Sequence, residues 1–339
     1  MRQEETYMMW YKNNGKDNDI ALNSRVKLVR NVAGYPFTER MTDEQKKELV
    51  EKIKAILPES DGWTATDFAS ATENERLALA EKRIISRHFA ASKGVLLLNE
   101  EKSAAVMLLG GDHIAIQCTQ PGSDVKAAMD AAYEIEGKLD EALEFAFNEQ
   151  VGYLTHRASE IGTGMKATVT LHLPVYTHRE SMRSLSYQLS GLGIGIRSMH
   201  GEGERACLYQ VSSPAAAGLT EEEAVDKLTE AVGKIIEQER KLRGEIRDER
   251  RDMIRERAMR SIGMMLYAGR LRADEILGLY STLRLAAVLG ETDMKPETAD
   301  EIFFSTLPHT VMAENPDCTS MKEITAKRAE KIKAILQNR

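Results

Sequence analysis

The sequence predicts an α+β fold in which strands and helices share residues 1–250 and helices alone fill residues 251–339. Three observations carry this expectation. Val95–Leu98, Ala104–Leu109 and Ile114–Cys118 are short apolar runs separated by turn-forming residues, Asn99–Lys102 and Gly110-Gly111-Asp112, as in an antiparallel meander. Ala167–Leu173 alternates in the manner of a strand and stops at Pro174, and residues 206–212 resemble another. From about residue 251 no strand pattern remains, and apolar residues recur at helical spacing.

Taken in order, Thr42 with Gln45 forms a capping-box signature ahead of Leu49, Val50, Ile53, Ile56 and Leu57, which predicts an amphipathic helix over 43–57 ended by Pro58. The meander follows, with the Gly-Gly-Asp turn at the tip of a hairpin. Asp124 to Asn148 places Val125, Met129, Ala132, Ile135, Leu139 and Leu143 at helical spacing and predicts one long helix, little interrupted by Gly137. Gly162-Thr163-Gly164 permits close backbone approach to a ligand, although alone it reads as a tight turn. Thr220 with Glu223 opens a helix through Ile236, and its charged continuation, Glu237–Arg257, reads as a solvated connector. Met264–Tyr267, Ile276–Leu289 and Ile302–Leu307 look helical, and Ser320 with Glu323 starts a final helix. The tail is therefore expected to be a small helical bundle.

Composition narrows the function. The chain has 339 residues, a formal charge of −7 and 29% charged residues, with no basic stripe, which argues against a nucleic-acid or membrane-surface role. Cys118, Cys207 and Cys318 are far apart and lack partners at metal-ligand spacing, so neither a disulfide framework nor a zinc site is supported. A reducing cytoplasm is the expected location, since the N-terminus lacks a signal-peptide core and no run approaches the roughly 20 apolar residues that span a bilayer. His88, His172, His178, His200 and His309 share no metal spacing and read as packed or surface residues. Ser212 and Ser213 lack a His/Asp relay.

Four blocks point to a chemistry: Asn23-Ser-Arg-Val-Lys-Leu-Val-Arg-Asn31, Leu108-Leu-Gly-Gly-Asp-His-Ile-Ala-Ile116, Gly162-Thr-Gly-Met-Lys-Ala167 and Arg197-Ser-Met-His-Gly-Glu-Gly203. In this order and at these separations they resemble the guanidino (phosphagen) kinases, and within them the bacterial protein-arginine kinases. The resemblance begins near Ile20 and runs through Val151–Thr155 and Leu171–Pro174 to Arg260-Ser261 and Leu283–Leu285. It implies a phosphagen-kinase-like domain with a mainly antiparallel sheet flanked by helices, then an appended helical domain.

Transfer from ATP to a guanidinium needs clamped phosphates, a divalent cation and carboxylates that orient the acceptor and take its proton. The resemblance places the clamp at Arg25, Lys27, Ala115, Lys166 and Arg197, of which Lys27, Lys166 and Ala115 replace arginines. Lysine keeps charge but loses the planar fork, so the altered clamp predicts weak nucleotide affinity. Without the resemblance, Arg25, Lys27 and Arg30 read as surface charge. Gly110 and Gly111 match two glutamates, one near the magnesium hydration shell and one that positions the guanidinium, and Glu202 matches the remaining carboxylate. Asp112 is a weak candidate substitute, with turn formation as its plainer role. A reactive-cysteine segment matches Thr155–Ser159, with Arg157 at the cysteine. A phosphoarginine-receiving Arg-Asp-x-x-Arg-Ala motif matches Ile324–Ala329, of which only Arg328-Ala329 persists.

Loss of one positioned acid–base group lowers a rate by about 10²–10⁴-fold. These substitutions imply a catalytically impaired homologue, a pseudokinase serving as a regulatory or partner-binding subunit beside an active arginine kinase or a Clp-type protease system, as a homo- or hetero-oligomer. ATP and Mg²⁺ are the cofactors the family implies. Two other readings stay open: an active guanidino kinase using Glu202 alone or with Asp112, and a structural subunit joined through the helical tail.

Overall fold

The computed structural model describes residues 9–200, 205–214 and 218–338. Among these, eight strands form one antiparallel sheet in the spatial order β2 (Trp63–Asp67), β3 (Val95–Asn99), β4 (Ala104–Leu108), β5 (Ile114–Pro121), β1 (Ala21–Arg30), β8 (Met165–His172), β10 (Leu208–Ser212) and β9 (Gly195–Ser198). The expected meander is β3–β4–β5, in the register Leu97↔Val106 and Val106↔Ile116. A small hairpin, β6 (Phe147–Asn148) with β7 (Gly152–Tyr153), stands apart from it.

The central strand β1 has one dry and one polar face. Val26 and Leu28 lie on the buried side with Ile116 and Val169, under α1 (Asp43–Ile56), α4 (Val125–Asp140) and α7 (Glu221–Gly244). Arg25 and Lys27 alternate with them and therefore project from the other face. Thr42 with Gln45 and Thr220 with Glu223 form the capping boxes expected at the starts of α1 and α7. Each cap contributes about 1 kcal/mol.

Two helical expectations need correction. The helix expected over 124–148 ends at Asp140, because the Ala33 amide donates to the Glu144 carbonyl and the Ala146 amide to the Asn31 carbonyl. Pairing with the chain beyond β1 overrides helix propensity there. The charged stretch Glu237–Arg257 is neither continuous nor wholly solvated. α7 stops at Gly244 and α8 (Asp248–Tyr267) begins after a break in which Ile246 turns in against Val175 and Leu242. Glu239 and Arg243 are both buried, paired at 2.9 Å, and Glu239 also accepts from the Val175 and Tyr176 amides at the start of α5 (Pro174–Arg179).

The remaining helices are α2 (Glu73–Glu81), α3 (Arg87–Ala90), α6 (Met182–Ser190), α9 (Ala273–Val288), α10 (Pro296–Ser305), α11 (Pro308–Glu314) and α12 (Met321–Gln337). No strand lies beyond residue 250 among the described residues. A second core joins Tyr280, Phe303 and Phe304 to Trp10 and to Leu96, Met107 and Leu208 of the sheet. Arg284, fully buried, pairs with Asp300 at 2.9 Å and donates to the Asp19 and Asn18 carbonyls, so α9 is tied to the chain entering β1. Arg328 is likewise buried, donating to the Thr306 and Leu271 carbonyls. No described helix is long and apolar enough to cross a membrane.

Candidate functional site

Antiparallel register gathers cations from three strands on the polar face. Lys27 of β1 lies directly across from Lys166 of β8, two residues from Arg25. Paired residues share a face and their neighbours alternate, so Arg25, Lys27 and Lys166 project together. On the far side of β8, Gln210 of β10 stands across from Arg197 of β9 and accepts from its Nε and Nη2 at 3.1 and 2.6 Å. That neutral amide fixes the guanidinium without cancelling its charge. The loop after α2 closes over the row: the Arg83 carbonyl accepts from Arg25 at 3.3 Å and from Gln117 at 3.0 Å, and Arg83 itself has φ +62°.

Among the described residues, Arg25, Lys166 and Arg197 of this row make no ion pair, whereas Lys27 pairs with Glu160. Burial, reinforced by the Arg83 and Arg197 guanidiniums, pushes Arg25 down to about 9. Burial also lowers Lys166, with Arg197 and Lys27 adding to the effect and Glu160 opposing it. His200, at the start of the next loop, is lowered to about 4 by burial and by Arg83 and Arg87. A bound polyanion would relieve all three shifts, and phosphate oxygens fit such a set of donors. The side chains expected to form the clamp, Arg25, Lys27, Lys166 and Arg197, are therefore carried by neighbouring strands, with Arg25, Lys166 and Arg197 coupled electrically. Ala115 lies across from Val29 and contributes no charge.

Beside the row is a small pocket of about 80 Å³, lined by Lys27, His88, Phe89, Gly111, Asp112 and Arg157 among others. A water claims about 30 Å³ of liquid and small-molecule sites run about 300–1,000 Å³, so this space holds little more than one small group. The β4–β5 hairpin tip explains why. A Cβ on Gly110 would lie 2.6 Å from Phe89 Cδ2, so the aromatic ring fills the place of a side chain. Gly111 has φ +120°, a conformation L-residues rarely adopt, and its missing Cβ would sit between His88 Nε2 and His156 Nδ1 at 3.4 and 3.7 Å.

Each of the pocket's described carboxylates is engaged through one oxygen. Asp112 Oδ1 accepts from Asn31 Nδ2 at 2.8 Å and from the His156 amide at 2.6 Å, which bridges the hairpin tip to the end of β1 and to the 155–160 loop. Those contacts give Asp112 a bracing position. Glu160, on a 3-10 turn over Ala158–Glu160, pairs with Lys27 Nζ at 2.5 Å. Arg157 is exposed at the turn's N-cap. Glu202 lies outside the described residues. His113 is fully buried, accepting at Nδ1 from the Val32 amide and contacting the Pro36 carbonyl through Nε2, so it is the neutral Nε2–H tautomer. Burial lowers its pKa in agreement.

The Gly162–Gly164 loop serves as a close-approach turn: a Cβ on Gly164 would meet Arg30 Nη1 and the Val29 carbonyl, each at 2.7 Å. Arg30 stacks on Tyr153, pairs with Glu136 and donates to the Thr163 carbonyl, bracing this loop against β1. Gln210, Phe89 and Glu160 were not anticipated from sequence. The strand register brings Gln210 to the row, the fold of the 82–92 segment brings Phe89 beside it, and the 158–160 turn brings Glu160. A larger cavity of about 710 Å³ between α6 and α7, walled by Leu185, Leu189, Leu192 and Ile235, shares no residue with it.

Residues 21–242 match the family model of the ATP:guanido phosphotransferase C-terminal catalytic domain, a span ending within α7. A protein-arginine kinase of Clostridium acetobutylicum is 30% identical over 329 residues, covering 94% of this chain and 97% of that protein. Another, of Caldanaerobacter subterraneus, is 32% identical over 295 residues, covering 84% and 88%. Among solved structures, the duplicated taurocyamine kinase of Schistosoma mansoni with bound transition-state-analogue components superposes with a TM-score of 0.58 at 26% identity, over 65% of this chain and 33% of that duplicated one. Lombricine kinase superposes with a TM-score of 0.57 at 20% identity, over 67% and 68%, a likeness of fold.

Proposed function

The chain belongs to the ATP:guanido phosphotransferase family, as a homologue of the protein-arginine kinases, and from that premise we propose that it is a pseudokinase: it keeps a phosphate-binding cation row, has lost transfer to a guanidinium, and acts as a regulatory or partner-binding subunit. The observation that carries this reading is the closed acceptor end. Where the family resemblance puts a pair of glutamates, Phe89 fills the space over Gly110 and two imidazoles flank Gly111. A guanidinium is planar and cationic, and it needs carboxylates free to accept its N–H groups. Here each described carboxylate is already held through one oxygen, Glu160 by Lys27 and Asp112 by the hairpin brace, so neither is free to turn toward an incoming guanidinium. The exposed Arg157 adds positive charge at the same mouth and repels such a substrate.

The cation row supports binding without transfer. Arg25, Lys166 and Arg197 would hold two phosphate groups of a nucleotide, with Mg²⁺ accompanying it; bound there, the metal would shield phosphate charge. Lys27 contributes less, because Glu160 already neutralises it. The alternative of an active kinase with a site rearranged around Glu202 turns on a residue outside the described ones.

The regulatory role is tested by measuring phosphoarginine formation by an active protein-arginine kinase with and without equimolar amounts of this chain. The expected result is a change of at least about twofold in rate together with co-elution on a sizing column. An unchanged rate with no co-elution contradicts it.

A further inference from the structure

We propose that Glu160 is an internal ligand of the cation row, standing where one phosphate group of a polyanion would otherwise sit and so limiting the length of phosphate chain the site accepts. The inference rests on the reading of the row as a phosphate site. Three observations lead to it. The Glu160 carboxylate contacts Lys27 Nζ at 2.5 Å, with side-chain exposures of only 12% and 22%, so this is a semi-buried contact and not a surface pair. Its charge also reaches Lys166, opposing the effect of Arg197, Lys27 and Arg25 there. The loop that carries it is held at both ends: the His156 amide donates to Asp112, Thr155 Oγ1 donates to the Arg157 carbonyl, and Arg30 donates to the Thr163 carbonyl.

A carboxylate fixed in this way resembles a bound anion in its position and charge. Oxygen ligands of a second anion cannot share Lys27 Nζ without either displacing Glu160 or approaching its negative charge. Like charges at contact distance in a half-dry site repel by an amount comparable with an ordinary ion pair. The row beyond Lys27, from Lys166 to Arg25 and Arg197, carries no such carboxylate among the ion pairs of the described residues. A diphosphate can use that part alone. A triphosphate must extend toward Lys27 and meets Glu160.

Calorimetric titration of the full chain with inorganic pyrophosphate and inorganic tripolyphosphate tests this. In the wild type the two should bind within about threefold of each other. Glu160→Gln should tighten tripolyphosphate about tenfold, the effect of about 1.4 kcal/mol, while changing pyrophosphate less than about threefold. Glu160→Asp, which keeps the charge and serves if the glutamine variant folds poorly, should stay within about threefold of wild type for both. Tripolyphosphate affinity unchanged within about twofold in Glu160→Gln overturns the role of Glu160 while leaving the row intact. Failure of every form to bind either anion at millimolar concentration overturns the phosphate row itself, and the role of Glu160 with it.

Discussion

Gly110 and Phe89 are one structural decision made at two distant positions. A methyl group at Gly110 would enter the Phe89 ring, which is itself buried against Phe68 with ring centroids 4.9 Å apart. Overpacking of this kind costs about 1–3 kcal/mol, so Gly110→Ala should destabilise the wild-type protein by that amount in urea melts. In a Phe89→Ala background the same change should cost less than about 0.5 kcal/mol, because the clash has gone. Equal costs in both backgrounds would show that the ring does not occupy that space. At this scale the sequence was informative where residue type alone carries chemistry. Arg25, Lys27, Lys166 and Arg197 could be singled out by their flanking blocks, and the two glycines by what they lack. Phe89 and Glu160 could not, because a phenylalanine in a Ser-Arg-His-Phe stretch and a glutamate in a turn have no local signal. Their roles come from neighbours distant in the chain.

At the scale of elements, the seam between the end of β8 and α9 stores a pH dependence. His172 is fully buried, with Nε2 contacting Ser281 Oγ at 2.9 Å and Nδ1 lacking a described partner. Burial, then the Arg284 and Arg243 cations, hold its pKa well below the usual 6.5. The unfolded chain therefore binds a proton that the folded chain refuses. Stability from this group is fully present above about pH 6.5 and is lost as pH falls below it, by up to about 1.4 kcal/mol per unit. Urea midpoints at pH 7 and pH 5 should differ more in the wild type than in His172→Gln; identical differences would remove His172 as the source. The legible elements were those whose signals are local. Capping residues three apart placed the starts of α1, α7 and α12, and turn residues delimited β3, β4 and β5. β1 escaped notice because charged residues interleave its apolar ones, and the end of α4 because backbone pairing with residues 31–33 decides it. The burial of Glu239 and Arg243 was equally hidden, since a charged helix looks solvated until α5 docks its amides on the carboxylate.

Across the whole molecule, one sheet serves two purposes. Its apolar face, covered by α1, α4 and α7, supplies the main core, and parts of its other face join the C-terminal helices in a second core. Between those packed regions the polar face keeps its cations together. The family match ends at residue 242, yet Arg284 and Asp300 fasten the later helices to the chain just before β1, so the tail shares structure with the region that carries Arg25 and Lys27. Such a molecule can retain its framework after its chemistry has gone, since packing and catalysis make separate demands on the sequence. The central claim is that the phosphate row persists while transfer to a guanidinium does not. It is tested most directly by incubating the purified chain with Mg-ATP and an arginine-rich protein substrate and searching for phosphoarginine by mass spectrometry under conditions that preserve the P–N bond. The account predicts no phosphoarginine above a no-enzyme control, and phosphoarginine that disappears with Glu202→Ala would contradict it.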